Sequence, residues 1–312
     1  MEDILVTGAA GFIGLNMIKL LINQKCRVYA MVLKEDIKGI RRIREVSEDI
    51  HIITDSIDSL MTDAGTYPSF DKIYHFATVG VRPDFDDISL ICDVNIRMGC
   101  QLVDFAKYNH SKLIVNVGSC FEYGTNNGEA LTEKDECHPE SLYAISKNAS
   151  VNLMTAYARQ KNISMITVRP FGVFGNGEGM NRLAPLIIHY GLSHKHLKLT
   201  GGEQIRDFVD VRDIVKCIYQ LSQSDRLETY EIYNICSSNP VRVKDFILEI
   251  IDTLNLDASL YGFGELPYRE NEAMSFIGDN TKLLETIDYS FPENHRSGIR
   301  ELYNSIIKEM EK

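Results

Sequence analysis

The chain has 312 residues, with 33 Lys or Arg against 44 Asp or Glu, for a formal charge of -11. That balance argues against nucleic acid or an anionic membrane as the main partner, while leaving room for a local basic pocket around a phosphorylated ligand. Hydrophobic residues make up 44% and charged residues 25%, a globular composition whose length fits one large α/β unit or two unequal lobes.

The elements begin with a strand at Ile4-Thr7, a glycine-rich turn, and a helix at Phe12-Gln24. Strands follow near Arg27-Val32, His51-Thr54, Lys72-Phe76, Lys112-Val117 and Ile163-Arg169, with helical periodicity over Ile88-Tyr108 and Leu142-Gln160. This alternation predicts an α/β fold: a doubly wound parallel sheet of the Rossmann type. After Pro170 the pattern breaks into glycine-rich loops, with helices expected at Leu183-Tyr190 and Val211-Ser222. A strand at Glu231-Ile235 is placed to rejoin the sheet. The expected division is a dinucleotide-binding unit over residues 1–170, to which 205–236 return, and a smaller mixed α/β substrate-binding lobe over most of 171–312. Structured sequence from Ile4 leaves no signal peptide, and Lys19, Lys72 and Lys112 interrupt the most apolar stretches, so no membrane span is expected. Seven cysteines without a C-x-x-C pair read as free thiols in a reducing compartment. A cytoplasmic protein is expected.

The first strand runs directly through Thr7-Gly8-Ala9-Ala10-Gly11-Phe12-Ile13-Gly14 into a helix. Gly8 permits a tight turn, Gly11 permits close approach of backbone N–H groups to a pyrophosphate, and Gly14 permits close packing of helix on strand. The spacing is G-x-x-G-x-x-G. Further landmarks follow in order: Asp55 and Ser56 after the third strand, Phe76-Ala77-Thr78 after the fourth, Asn95, then Ser119, Tyr143 and Lys147. Arg169-Pro170-Phe171-Gly172-Val173-Phe174-Gly175, Arg206-Asp207-Phe208, and Arg269 with Asp279 and Lys282 complete the set. Together these resemble the extended short-chain dehydrogenase/reductase family, many of whose members act on nucleotide sugars. The resemblance implies NAD(P) binding by Gly8, Gly11, Phe12, Ile13, Gly14, Asp55, Ser56, Phe76, Ala77, Thr78, Val117, Tyr143, Lys147, Pro170 and Val173.

An NAD-selective site usually closes its second strand with an acid for the ribose 2′-OH. Here that place falls near Val32 and is followed by Leu33 and Lys34. Lys34, with Arg41 or Arg42, is suited to a 2′-phosphate, so NADP(H) is favoured over NAD(H); solvated surface charge is the other account of these side chains.

The family's chemistry rests on Tyr-x-x-x-Lys, one helical turn that puts an ammonium beside a phenol and lowers its pKa. The pattern occurs three times, as Tyr108/Lys112, Tyr143/Lys147 and Tyr157/Lys161. Ligands of open parallel sheets bind at the carboxyl ends of the strands. Tyr108 closes a helix leading into a strand's start. Tyr157 is 14 residues beyond Tyr143, about 21 Å along the same helix. Tyr143, after Pro139 and a Ser141 cap, begins its helix on the ligand side, as Ser119 does just past Val117. The catalytic set expected is Ser119, Tyr143 and Lys147.

In family terms Ser119 bonds the substrate oxygen, Tyr143 exchanges its proton, and Lys147 holds the nicotinamide ribose while tuning Tyr143. Sugar 4,6-dehydratases that resemble this chain place acidic groups directly after the Ser/Thr. Here Cys120 and Phe121 stand there, and Phe121 neither takes nor gives a proton. Cys120 is either a proton-transfer group or a small packing residue, and Glu122 either reaches the pocket or points away from it. The segment from Gly118 to Gly124 looks more like that of deoxysugar 4-ketoreductases. The reading is therefore NADP(H)-dependent reduction of the 4-keto group of a nucleoside-diphosphate 4-keto-6-deoxysugar. A nucleotide-sugar 4-epimerase with tightly bound NAD, and a non-catalytic NADP(H)-binding sensor, are the alternatives.

Arg206 and Arg269 match family positions that clamp the substrate diphosphate. The other account of each is a structural ion pair, with Asp207 or Asp210 available. Asn181 matches a position that holds a phosphate or sugar hydroxyl, and Cys120 adjoins the same pocket. Arg82 reads as surface charge. His194 and His196 flank Lys195 without a second ligand at metal spacing, and His138 has no nucleophile partner, so no metal is expected. The resemblance also implies a homodimer through the helices at Ile88-Tyr108 and Leu142-Gln160.

Overall fold

The computed structural model describes residues 1–62, 67–82, 84–125, 128–269 and 272–311. Seven strands make one parallel sheet: β1 (Asp3–Thr7), β2 (Arg27–Met31), β3 (His51–Ile53), β4 (Lys72–His75), β5 (Leu113–Val117), β6 (Met165–Pro170) and β7 (Ile232–Ile235). Their order is β7-β6-β5-β4-β1-β2-β3. The chain winds outward from β1 to β3, then returns to lay β4 on the other side of β1. A crevice therefore opens at the carboxyl ends of β1 and β4, where the winding reverses. The strand expected after residue 230 does rejoin the sheet, pairing with β6 from Ile232 to Ile235.

Helices cover both faces, which is why these strands read as unbroken apolar runs. On one face Ile4, Val6, Val115, Val117, Ile166 and Val168 pack with α1 (Phe12–Asn23) and α8 (Val211–Gln223). On the other, Leu5, Ile73, Ile114 and Met165 pack with Leu102 and Phe105 of α5 (Met98–Asn109) and Met154 and Ala158 of α6 (Leu142–Lys161). Two short helices that the sequence pattern did not reveal, α2 (Ile37–Arg44) and α3 (Ile57–Thr62), follow β2 and β3. The helix expected over Ile88-Tyr108 is three pieces: α4 (Ile88–Ile91), a π-helical turn at Cys92–Arg97, and α5. The wider turn accompanies the inward placement of Asn95, whose amide bonds both the N–H (2.9 Å) and C=O (3.0 Å) of Val79.

Beyond Pro170 a third apolar cluster forms among α7 (Leu183–Leu192), α9 (Val243–Leu254) and α10 (Arg296–Met310), with Ile187, Ile188, Phe246, Ile250, Ile299 and Leu302 buried in it. Among the described residues no helix is long and apolar enough to cross a membrane.

Candidate active site

Gly8 leaves β1 at φ +63°, and a Cβ there would lie 2.6 Å from the backbone at Phe76 and Ala77. Only glycine lets the exit of β1 pass this close to the end of β4. A Cβ on Gly14 would collide with the Gly8 carbonyl, so the third glycine fixes how near α1 stands to its strand. Gly11 is the N-cap of α1, no side chain caps that end, and its first turn carries no acid. The N–H groups of Phe12, Ile13 and Gly14 thus face outward at a positive helix end. This cradle fits a dinucleotide pyrophosphate.

Of the basic residues expected near the adenosine end, Arg42 reaches the turn and donates to the Ala10 carbonyl at 2.9 Å. Arg41 turns to Glu45 at 3.5 Å, and Lys34 is exposed beyond β2. Asp55 and Ser56 are exposed just past β3. Phe76, Ala77 and Thr78 continue β4, and Thr78 donates to the Asn95 amide oxygen at 3.1 Å. Val117 ends β5, Pro170 ends β6, and Val173 begins a short strand paired with Val209.

Ser141 caps α6 by accepting from the Ala144 N–H at 3.1 Å. That sets Tyr143 in the first turn and Lys147 one turn deeper, 3% exposed. Ser119 is buried and caps a 3-10 turn at Cys120–Tyr123. Burial pushes the Tyr143 phenol up to about 12, with the neighbouring Ser119 hydroxyl pulling the other way. Burial brings the Lys147 ammonium down to about 8, opposed by the Glu122 carboxylate. Asn95 ties the parts together: it donates to Ser146 Oγ at 2.9 Å, which in turn donates to the Tyr143 carbonyl at 2.8 Å. The structure thus brings Ser119, Tyr143 and Lys147 to one place at the carboxyl ends of β4 and β5. The other two Tyr/Lys pairs lie elsewhere. Tyr157 donates to Asp104 at 2.6 Å, and Lys161 pairs with the same acid at 3.1 Å. Tyr108 ends α5, and Lys112 pairs with Asp71 at 2.6 Å.

Arg206 is half-buried on a short strand between Val241–Arg242 and Ser275–Phe276. Its guanidinium donates to the Ala273 carbonyl at 2.6 Å and meets Glu272 at 3.3 Å. The acid that pairs with Arg206 is therefore Glu272, and neither of those foreseen: Asp207 accepts from Ser237 and Ser238, and Asp210 caps α8. Arg206 also acts electrostatically on Cys120, so it borders the pocket behind Ser119. Arg269 is exposed beside Tyr268, whose hydroxyl accepts from the Glu203 N–H at 3.1 Å. Asn181 is exposed just before α7. Cys120 is buried, and burial pushes its thiol up to about 12. That makes it a packing group with Phe171, Cys236 and Phe276, and a poor proton carrier near neutral pH. Arg82 faces Asp84 in solvent at 3.4 Å. His196 meets Glu265 at 3.0 Å, a carboxylate the local sequence did not reveal.

One site feature was left open by the sequence and a second escaped it. Glu122 points away from the pocket: one oxygen accepts from the Ser119 N–H at 2.7 Å, and the other takes two bonds from Arg169 at 3.0 and 2.8 Å. The S-x-x-E spacing from Ser119 to Glu122 is a capping-box pattern and was the available signal. Glu178, its side chain 7% exposed, faces Arg182, and burial raises its carboxyl to about 7. Arg182 in turn acts on the Tyr143 phenol. The glycine-rich loop that carries Glu178 is pinned to α1 by Asn16, which donates to the Asn176 carbonyl at 2.8 Å.

Residues 4–236 match the model of the NAD dependent epimerase/dehydratase family. CDP-abequose synthase of Salmonella typhimurium (strain LT2) is 27% identical over 308 residues, 96% of this chain and 97% of that protein. GDP-6-deoxy-D-talose 4-dehydrogenase of Aggregatibacter actinomycetemcomitans is 27% identical over 317 residues, 98% of this chain and 99% of its own. Among solved structures, UDP-glucuronic acid 4-epimerase from Bacillus cereus, in complex with UDP-glucuronic acid and NAD, superposes with a TM-score of 0.86. It is 23% identical and covers 98% of this chain and 99% of its own.

Proposed function

Because this chain belongs to the NAD dependent epimerase/dehydratase family, we propose that it modifies a nucleotide sugar by NADP(H)-dependent reduction at carbon 4 of a 4-keto-6-deoxysugar. The observation that carries the reading is the turn after Ser119. It leads from Ser119 into Cys120 and Phe121, which are apolar, and turns its one carboxylate, Glu122, inward onto Arg169. Phe121 is 47% exposed beside Phe276, ring centroids 5.5 Å apart. Such an apolar surface suits a deoxy carbon and has no acid or base for removing water. The relative named as a 6-deoxy-D-talose 4-dehydrogenase points to the same carbon.

Phe12, Ile13 and Gly14 would hold the pyrophosphate, and Lys147 the nicotinamide ribose. Once bound, the dinucleotide supplies the hydride that arrives at carbon 4. Ser119 orients the keto oxygen. Tyr143, whose phenol keeps its proton at neutral pH, donates that proton to the oxygen as the alcohol forms, and Lys147 offsets the charge left on the phenolate. Arg206 and Arg269 are the diphosphate ligands in this reading, with Asn181 at the mouth. Arg42 beside Ala10 supports a 2′-phosphate.

The test is loss of NADPH absorbance with a panel of 4-keto-6-deoxysugar nucleotides. Net oxidation of NADPH, favoured over NADH, is expected, and Arg42→Ala should shrink that preference about tenfold by removing one charge-assisted phosphate contact. Interconversion of 4-epimers without net oxidation would make the enzyme an epimerase. Cofactor binding with no turnover would make it a sensor.

We also read the chain as a homodimer. Leu142, Ile145 and Leu153 on the outer side of α6, with Ile88 and Leu90 on α4, are each at least 40% exposed, a patch of the kind that marks an interface. Sedimentation should give a dimer for the wild type and a monomer for Ile145→Glu with Leu153→Glu. A monomeric wild type would remove this reading.

A further inference from the structure

At the carboxyl end of the sheet, the face under α6 changes character within one pleat. Leu5, Ile73, Ile114 and Met165 are apolar. Two residues on, and so on the same face, stand Thr7, His75, Asn116 and Thr167. These four are directly paired across β1, β4, β5 and β6, and each is at most 1% exposed. Burying such a row is costly unless its polar atoms are satisfied. The ends are satisfied: Thr7 Oγ1 and His75 Nδ1 lie 2.7 Å apart, and Asn116 Nδ2 donates to Thr167 Oγ1 at 3.3 Å. The middle is not. His75 Nε2 and Asn116 Oδ1, on neighbouring paired residues, are buried and bonded to no protein atom.

The cation that acts on His75 is Lys147. It belongs to the buried stripe of α6 formed by Lys147, Ser150, Val151 and Met154, and Met154 packs on the same face of the sheet. Burial first, and then the charge of Lys147, hold the His75 imidazole down to about 3, so the ring is neutral and carries one proton.

We propose that one internal water joins Lys147 Nζ, His75 Nε2 and Asn116 Oδ1, and that His75 and Asn116 are positioning residues for the Lys147 ammonium. In the tautomer this requires, Thr7 donates to Nδ1 and the ring proton sits on Nε2. The water accepts from Nε2–H and from the ammonium and donates to Asn116 Oδ1, three bonds in the usual range for a buried water. The proposal rests on the reading of Lys147 as the partner of Tyr143. The charged group that acts on Lys147 is Glu122, on the turn after β5. On the flanking helices Asp93 pairs with Arg97, and Asp104 with Lys161.

The test reads Lys147 directly in the cofactor-free protein, by NMR titration of carbon-13-labelled lysine, with the resonance assigned by its loss in Lys147→Met. Asn116→Asp places a carboxylate at the water and should raise the Lys147 midpoint by about one unit. Asn116→Leu removes the acceptor and should lower it by a similar amount. A merely structural role for Asn116 does not predict shifts of opposite sign. A high-resolution crystal structure of the wild type should show the water within hydrogen-bond distance of both side-chain atoms. Equal midpoints in wild type and Asn116→Asp, or a map with both atoms bonded to protein, would overturn the proposal. Should Asn116→Leu fail to fold, Asn116→Asp and the map still decide it. These readouts need no substrate, so they stand apart from failure to reduce any 4-keto sugar.

Discussion

Tyr143→Phe should lower kcat for NADPH-dependent reduction by about 10²–10⁴-fold, the range for loss of a positioned proton donor, while leaving the dissociation constant for NADPH within about twofold. The split follows from the geometry. The phenol faces Ser119, whereas the pyrophosphate cradle is backbone at Phe12, Ile13 and Gly14 on the far side of the β1–β4 crevice. The ring stays in place, so α6 and its Ser141 cap are unchanged. Lys147 should then lose its partner and keep its seat. Stopped-flow measurement of hydride transfer beside fluorescence titration of NADPH checks both halves. Undiminished turnover would remove Tyr143 from the chemistry and send the search for a proton donor to Glu178, whose carboxyl burial raises to about 7.

How much of this was legible depended on how local each signal is. The five inner strands and β7 are apolar runs because both faces are covered, and the glycine turn announces itself because three backbone constraints fall within seven residues. Tyr143 was separable from Tyr108 and Tyr157 by position along helices of known rise. Contacts between distant segments were not legible: Arg206 meets an acid 66 residues later, and nothing near either residue marks the pair. The π-helical turn was hidden because its apolar spacing continues that of its neighbours. The polar row under α6 was hidden differently. His75, Asn116 and Thr167 each sit inside a strand that reads as apolar, and only their register across four strands makes them a group. Glu122 shows the most instructive gap. Its spacing from Ser119 is a local pattern, but its partner Arg169 lies on another strand, and only the two together decide that the carboxylate faces the interior.

That pair carries the second large expected effect. Glu122 and Arg169 are 0% and 3% exposed at the side chain. Glu122 accepts three hydrogen bonds, while the Arg169 guanidinium lies 4.4 Å from the Tyr123 ring centroid and donates to Cys137 Sγ at 3.2 Å. Gly118 is glycine because a Cβ there would collide with the Glu122 carboxylate. Glu122→Ala leaves a guanidinium buried without its counter-charge, and should cost about 3–5 kcal/mol of stability, or roughly 5–15 °C in Tm for a chain of this size. The double variant Glu122→Met with Arg169→Met should recover a substantial part of that loss, because it removes both desolvation penalties together. Catalysis should not recover with it. Ser119 owes its orientation to the Glu122 carboxylate on its N–H as well as to the turn it caps, so the double variant should fold yet keep a lowered kcat. Calorimetry and steady-state kinetics on the wild type, the two single Met variants and the double variant, with Glu122→Ala beside them, separate the two outcomes. A loss below about 1 kcal/mol in Glu122→Ala, the scale of a surface ion pair, would mean that water reaches the guanidinium and that the floor beneath Ser119 is softer than its burial indicates.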